Sequence, residues 1–392
     1  MINKKIALLL SLTVLNFTLF GKAIEFQDSL LKQQLQVKLD CLVINTKIPG
    51  ANLSVVLENG EAINLSSGYQ DMEQMIPMTP FNKMLSGSIG KTYVAAIAFK
   101  LIEENRLNLN DRVAMLLKDE PWISNIPQID AITVEMLLSH TSGLPRYEFY
   151  DGVWNEIKMN PDKEWTVYDR LRYIFDAEPI HPAGTGWAYS DTNYILLGAV
   201  IEKITGTDYY SLFRKLISEY PMLKNTVPAD QRKIAGLSSG YSDFLMSYGF
   251  HEKVAANEEV IFNPQMEWCG GGVASTAFDL ACWAKLLYEG KVISPALVIK
   301  MVTPSVFETD LPDNAKYGLG AIITLQDSLV YYGHQGFFPG YRSIVQYNSR
   351  YRFAFALQLN RDNPLTEQSL NQLSKPFKEL VILYLEKQMN YE

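Results

Sequence analysis

Residues 28–45 place Leu30, Leu31, Leu35, Leu39, Leu42 and Val43 at helical spacing with polar residues between them, which predicts an amphipathic helix. The period then changes to two. Residues 53–57 read as a strand, Asn59-Gly60 as a tight hairpin turn, and a second strand follows to about Tyr69. A helix opening at Ser88 carries Tyr93, Val94, Ile97, Ala98, Leu101 and Ile102 and is apolar on almost every side, which predicts burial through the middle of the molecule. Helix signals dominate from Leu107 to about Pro304. Thr133 is placed to cap a short helix with Met136, Leu137 and Leu138; Thr166 caps 167–175; Asp191 or Thr192 opens 194–204 before Gly206. Ser275 caps 277–287 before Gly290, and Ser294-Pro295 opens 297–302 before Pro304. The period then returns to two over 318–325, 328–332, 341–347 and 352–359, and 367–387 forms a last amphipathic helix.

Strands thus occur at both ends of the chain, with helices between. The fold class this predicts is α+β: one antiparallel sheet formed by both chain ends and flanked by helices, packed against an all-α lobe. The sheet-bearing lobe is expected at about 24–85 and 305–392, and the helical lobe at about 86–304. There is no repeat, low-complexity tract or flexible linker.

Composition narrows the function classes. The 392 residues are 47% hydrophobic and 20% charged, which suits a folded globular chain. The net charge is -8 and no basic run appears, so nucleic acid is not an expected partner. Residues 1–23 read as a secretory signal. Lys4 and Lys5 are its positive region, 6–15 its apolar region, and Gly21-Lys22-Ala23 precedes a cut after Ala23. Ser11, Thr13, Asn16 and Thr18 interrupt the apolar run, so a membrane span is not expected to remain. The mature chain is then expected in the periplasm or outside the cell. Cys41, Cys269 and Cys282 are too few to describe a disulfide framework, although one bridge is compatible with an oxidising compartment. Cys282 falls in an apolar helical pattern and is expected as a buried thiol.

The candidate chemistry starts at 86–92, Ser-Gly-Ser-Ile-Gly-Lys-Thr. On a helix, Ser88 and Lys91 lie one turn apart on one face. A serine hydroxyl is a poor nucleophile until its proton is taken, which a lysine of shifted pKa or a partner of that lysine can do. A phosphate loop would need Gly where Leu85 stands, and a Gly-x-Ser-x-Gly elbow would need Gly where Ser86 stands. A second candidate is Tyr189, in Trp187-Ala188-Tyr189-Ser190-Asp191, after a turn-rich loop and before an apolar helix. A phenol near an ammonium can share its proton. The third is His334-Gln335-Gly336-Phe337, read as the end of a strand beside a glycine-rich turn, where a substrate backbone can approach exposed N–H groups. Metal binding finds no support: His251-Glu252 lacks the second His of a His-Glu-x-x-His site.

In this order and spacing, these segments resemble the serine β-lactamase and penicillin-binding-protein superfamily, in the branch of class C β-lactamases with related DD-peptidases and esterases. Ser88-x-x-Lys91 resembles its first motif, Tyr189-Ser190-Asp191 its Tyr-x-Asn, and His334-Gln335-Gly336 its Lys-Thr-Gly in the His-x-Gly form. Residues 137–145, Leu-Leu-Ser-His-Thr-Ser-Gly-Leu-Pro, and 270–276, Gly-Gly-Gly-Val-Ala-Ser-Thr, are similar to further stretches of the branch. The resemblance implies a serine hydrolase acting on an amide, β-lactam or ester carbonyl. Ser88 would form an acyl-enzyme, Lys91 and Tyr189 would together move its proton with either as base, and water would resolve the intermediate. The backbone N–H groups of Ser88 and Phe337 would hold the oxyanion. Asp191, His334, Gln335 and Gly336 would contact the substrate, His334 orienting Tyr189 or a substrate carboxylate. Tyr147, Phe149, Tyr150 and Trp154 would wall the cleft. No metal or organic cofactor is implied, and the partner is a small molecule or peptide.

Two positions depart from the family pattern. Asp191 replaces an amide donor by a group that only accepts, and is free to pair with Lys91 or to attract a substrate amine. His334 replaces a lysine and carries less positive charge near neutral pH. Both weigh against a dedicated β-lactamase. Two other readings stand beside this one: a non-catalytic penicillin-binding or sensor module on the same fold, and a hydrolase of another fold with Ser88 served by a histidine such as His334.

Overall fold

A computed structural model describes residues 29–363 and 368–389 of the chain. The signal reading over 1–23, with its cut after Ala23, falls outside these residues. Eight strands make the main sheet, in the spatial order Lys316–Tyr317, Ile322–Gln326, Leu329–Phe338, Tyr341–Asn348, Phe353–Leu359, Gly50–Val56, Ala62–Asp71 and Ile76–Pro77. Every pairing is antiparallel. The two chain ends meet where Gly50–Val56 pairs with Phe353–Leu359, Ala51 opposite Leu359.

The period of two reappears as two separate cores. Leu53, Val55, Phe355 and Leu357 point to one face, where Leu35 and Leu39 of the first helix (29–46) meet Phe377 and Val381 of the last helix, Leu370–Met389. Between them in sequence, Val56, Ala354 and Ala356 belong to the opposite cluster with Ala281 and Trp283. The small residues on that face let the helix Ala277–Tyr288 lie directly across the strands.

The helix Gly90–Glu103 is buried nearly all round because it packs against Asp191–Thr205 and Tyr209–Ser218 and meets Ala277–Tyr288 through Trp283. Tyr93 stacks on Trp283 with ring centres 4.0 Å apart, and the Trp283 indole donates to Thr92 Oγ1 at 2.8 Å. Burying each such side chain is worth roughly 2 kcal/mol, so this helix is a rigid base for what its first turn carries.

Several sequence expectations need correction. Ser88 does not open the α-helix; it sits in a 3₁₀ turn, Gly87–Ile89, and the helix starts at Gly90. The central block is not all-α. Met84–Leu85, Val273–Ser275 and Val227–Pro228 form one small sheet, and Gly240–Tyr241, Lys253–Ala256 and Glu259–Val260 another. These strands are two to four residues long, too short to show a period. Ser275 ends a strand, and Thr276 caps the following helix by accepting from Asp279 N at 3.2 Å. Thr133 and Thr166 cap as their positions predict, and Gly206 ends its helix at φ +66°. His334-Gln335-Gly336 lies inside the strand Leu329–Phe338 rather than at its end. Cys41 is exposed, Cys269 and Cys282 are buried, and all three are free thiols. Among the described residues, no helix is long and apolar enough to cross a membrane.

Candidate active site

One interruption in the sheet creates the site. Leu329–Phe338 pairs with Ile322–Gln326 only as far as Gly333, while on its other side it continues against Tyr341–Asn348 to Phe338. From His334 onward one edge of the strand is therefore released from the ladder, and the 3₁₀ turn bearing Ser88 packs against it. The approach is so close that a Cβ on Gly336 would collide with the Ser86 carbonyl, and one on Gly87 with the backbone of Phe337. Gly87 also adopts φ +51°, which favours glycine. The turn thus brings Ser88 beside Gly336-Phe337, where the family resemblance implies an oxyanion site.

Lys91 occupies the first turn of Gly90–Glu103 and is wholly buried. Its ammonium donates to Ser88 Oγ at 3.0 Å, to Asp191 Oδ1 and to the Gly270 carbonyl. An ammonium has three N–H groups, so all are engaged. Asp191 lies in the first turn of Asp191–Thr205, where the helix dipole favours a carboxylate. Its second oxygen accepts from Arg146 Nη2 at 2.8 Å, and Arg146 also pairs with Glu148 at 2.6 Å. Burial opposes ionisation of Asp191, but Lys91 and then Arg146 outweigh it and hold the carboxyl well below its usual range. Burial likewise opposes the Lys91 charge, and Asp191 and then Tyr189 more than compensate, so its pKa is raised. Lys91 is an ammonium at neutral pH.

Tyr189 is carried on the extended segment just before that helix. Its hydroxyl is enclosed and closes no hydrogen bond among the described residues, yet it faces Ser88 and Lys91. Burial raises the phenol pKa, and Lys91 and Ser88 pull against that rise. The ring is held by His140, whose centre lies 4.2 Å away. His140 ends the helix Val134–Ser139 at φ +61°. Its Nδ1 accepts from Ser190 N at 3.2 Å, which puts the ring proton on Nε2.

His334 does not do what its position led us to expect. It is buried, Nδ1 donates to the Gln335 carbonyl at 2.6 Å, and Nε2 accepts from the Tyr317 hydroxyl at 3.0 Å. Its ring centre is 6.3 Å from that of Tyr189, with no hydrogen bond between them. Burial, and then the Lys91 charge, press its pKa down to about 3. It offers no positive charge to a carboxylate and no base to Ser88.

Two cavities, of about 300 and 290 Å³, meet at Ser88, Arg146 and Phe337. The first is aromatic and acidic, with Glu148, Phe149, Trp154, Asp191, Phe244 and Glu267 on its wall. Tyr147 also lines it, but Tyr150, expected there, does not. Burial, and then the Asp191 charge, push Glu267 up to about 8 and Glu148 well above its ordinary value. The second cavity has Tyr189, His334, Gln335, Gly336, Asp310 and Arg342 on its wall. Among the described residues no group of three or more His, Cys, Asp or Glu is arranged to hold a metal ion.

Sequence reading missed Arg146, Glu148, Glu267 and the Gly270 carbonyl. Arg146 and Glu148 had a signal: two charges among aromatics, directly after the Gly-Leu-Pro stop that ends in Pro145. Glu267 sits in an unremarkable loop and had none.

Comparison with known proteins agrees with the fold. The chain is 30% identical over 178 residues to Protein flp of Staphylococcus aureus (strain COL), a match covering 45% of this chain and 34% of that protein, so the chain spans about a third of that relative's length. It is 26% identical over 314 residues to the teichoic acid D-alanine hydrolase of Staphylococcus aureus, covering 79% of this chain and 70% of that one. The D-amino acid amidase of Ochrobactrum anthropi SV3, solved with L-phenylalanine amide, superposes with a TM-score of 0.75 at 23% identity, over 92% of this chain and 99% of that one. That likeness is one of fold. The family model described as Beta-lactamase matches residues 28–374, and this chain belongs to the beta-lactamase family of serine hydrolase fold.

Proposed function

We propose that the chain is an exported serine hydrolase that forms an acyl-enzyme at Ser88 on an amide, β-lactam or ester carbonyl, and that its preferred substrates are D-configured aminoacyl amides or esters. The observation that carries the mechanism is the saturation of Lys91. With its three N–H groups given to Ser88, Asp191 and Gly270, Lys91 cannot take a proton. Its donation to Ser88 Oγ turns the serine O–H away from it, and Tyr189 is the remaining acceptor on that side. The reactive form is the ionised Tyr189, a minor form because burial raises the phenol pKa, and the Lys91 ammonium 5.1 Å from the ring centre stabilises it; Ser88 Oγ attacks the carbonyl carbon and its proton passes to that phenolate, leaving Tyr189 as the phenol. The oxyanion lies between the N–H groups of Ser88 and Phe337, donors worth about 3 kcal/mol each. Tyr189 returns the proton to the leaving nitrogen or oxygen, and water then repeats the sequence on the acyl-enzyme.

Support for the substrate class comes from the relatives' names, a D-alanine hydrolase and a D-amino acid amidase. It also comes from the site itself. Asp191 presents no amide donor to an acyl side chain and His334 no charge to a β-lactam carboxylate. On the first cavity's wall the Oε2 atoms of Glu148 and Glu267 have no partner among the described residues and can accept hydrogen bonds from an ammonium on the acyl group. Export is supported by the 1–23 pattern.

The test is a panel of a chromogenic cephalosporin, a D-Ala-D-Ala peptide, a short-chain nitrophenyl ester, and D- and L-alanine p-nitroanilide, run on wild type and Ser88→Ala. Turnover of the ester and the D-anilide, little of the L-anilide or cephalosporin, and loss of all of it in Ser88→Ala are expected. Turnover that survives Ser88→Ala overturns the mechanism. Acylation that stops at one equivalent makes the protein a binding module instead.

A further inference from the structure

The stretch Leu-Leu-Ser-His-Thr-Ser-Gly-Leu-Pro at 137–145 has no part in the chemistry given above. Its contacts show what it grips. The Ala188 N–H donates to the His140 carbonyl at 3.0 Å. The Ser190 and Thr192 hydroxyls both donate to the Pro145 carbonyl, at 3.0 and 2.7 Å, and Ser142 Oγ donates to Asn193 Oδ1. The loop is therefore fastened to the segment that carries Tyr189, on both sides of that residue. The next residue along the loop is Arg146.

Arg146 Cζ lies 5.3 Å from the Tyr189 ring centre, and Lys91 Nζ lies 5.1 Å from the same point. A cation at this distance is attracted to an aromatic ring, and far more strongly to its ionised form. The two cations share one carboxylate: Asp191 takes Lys91 on one oxygen and Arg146 on the other. The nearby glutamates do not cancel the surplus. Burial, and then the Asp191 charge, keep Glu267 and Glu148, the second partner of Arg146 at 2.6 Å, largely protonated at neutral pH. His140, His334 and Tyr317, with ring centres 4.2, 6.3 and 6.0 Å from that of Tyr189, are buried and held neutral chiefly by that burial.

Lys91, Arg146 and Asp191 thus leave one positive charge beside a neutral Tyr189, and an ionised Tyr189 cancels it. Without Arg146, Lys91 and Asp191 would already cancel each other. Ionising Tyr189 would then leave a buried negative charge with no counter-charge of its own.

We propose that Arg146 is a positioning residue that supplies the counter-charge for the Tyr189 phenolate, the charge of Lys91 being matched by Asp191. This rests on the Tyr189 mechanism given above. When the phenolate takes the Ser88 proton, the negative charge passes to the carbonyl oxygen of the substrate, and Arg146 keeps its proton and its place throughout. The loop 140–145 is what holds the guanidinium over the ring.

The experiment uses the full chain with ¹³Cζ-labelled tyrosine, as wild type, Arg146→Gln and Arg146→Lys. The NMR signal lost on adding Tyr189→Phe identifies Tyr189 in each background, and its titration is followed with pH. The midpoint should rise by about one pH unit in Arg146→Gln, the loss of one cation from the ring, and return most of the way in Arg146→Lys. For nitrophenyl acetate, kcat/KM of Arg146→Gln should be about fivefold or more below wild type at pH 7, and the gap should narrow as the pH approaches the midpoint. A residue that only held the loop in shape would lower the rate equally at every pH. Equal midpoints in wild type and Arg146→Gln, or a rate ratio independent of pH, overturn the proposal. If Tyr189→Phe turns over as wild type does, the Tyr189 mechanism falls by itself, and the midpoints still decide whether Arg146 is the phenolate's counter-charge.

Discussion

Asp191 differs from asparagine by an oxygen in place of an amino group, and that exchange reorganises the site. An asparagine would donate toward the substrate; the carboxylate instead binds Lys91 on one oxygen and Arg146 on the other. Its role was open in the sequence, which allowed either Lys91 or a substrate amine as its partner, and the fold decided for Lys91. Removing one member of a buried ion pair leaves the other charge uncompensated, at a cost of about 3 kcal/mol or more. Asp191→Asn should therefore lower the urea midpoint clearly and reduce kcat for nitrophenyl acetate at least tenfold. An unchanged midpoint would show that the triad with Lys91 and Arg146 is not held in solution. Ser88, Lys91 and Tyr189 were legible as separate candidates, and as a set through the resemblance to the serine β-lactamase superfamily. Glu267 was not, because nothing in its neighbours marks a loop residue that folding brings to Asp191.

At the scale of elements, the strand Leu329–Phe338 and the turn Gly87–Ile89 act as one unit. Gly333 and Gly336 look like strand breakers in sequence, which is why the strand was expected to stop before them. The ladder to Tyr341–Asn348 carries it on, and the glycines serve another purpose: a bare backbone edge where the nucleophile turn can lie. Gly336→Ala places a methyl group against the Ser86 carbonyl, which is backbone and cannot swing away. We expect loss of about 100-fold or more in kcat/KM, with far-UV circular dichroism close to wild type. Activity within a few-fold of wild type would mean that the turn is not held against this edge. Caps were legible to within a residue. The short strands of the central block were not, since two to four residues carry no period and exist only through their partners.

Across the whole molecule, the sheet joining the chain ends has a helix layer on each face, and one charge is buried in it far from Ser88's motif set. Lys378, on the last helix, is completely buried; it donates to Gln346 Oε1 at 2.6 Å and lies 4.6 Å from the Tyr331 ring centre. Burial depresses its pKa to about 7. The unfolded chain, with an ordinary lysine near 10.4, then holds the extra proton between pH 7 and about 10, so this residue makes stability rise with pH over that window. Stability of wild type relative to Lys378→Met should accordingly improve from pH 7 to pH 10 in urea titrations; a difference independent of pH would contradict the buried setting. By itself the sequence determined the α+β class, the pairing of the chain ends and most helices with their caps, which follow from periodicity, turn chemistry and local spacing acting over a few residues; the Ser88, Lys91 and Tyr189 set is what the family resemblance implies. Only the tertiary structure decided that Asp191 neutralises Lys91, that His334 is a neutral buried group, and that Arg146 stands over the Tyr189 ring. A pKa and an ion pair depend on what lies within a few ångströms in space, and residues 91, 146, 191 and 270 are made neighbours by the fold rather than by their order in the chain.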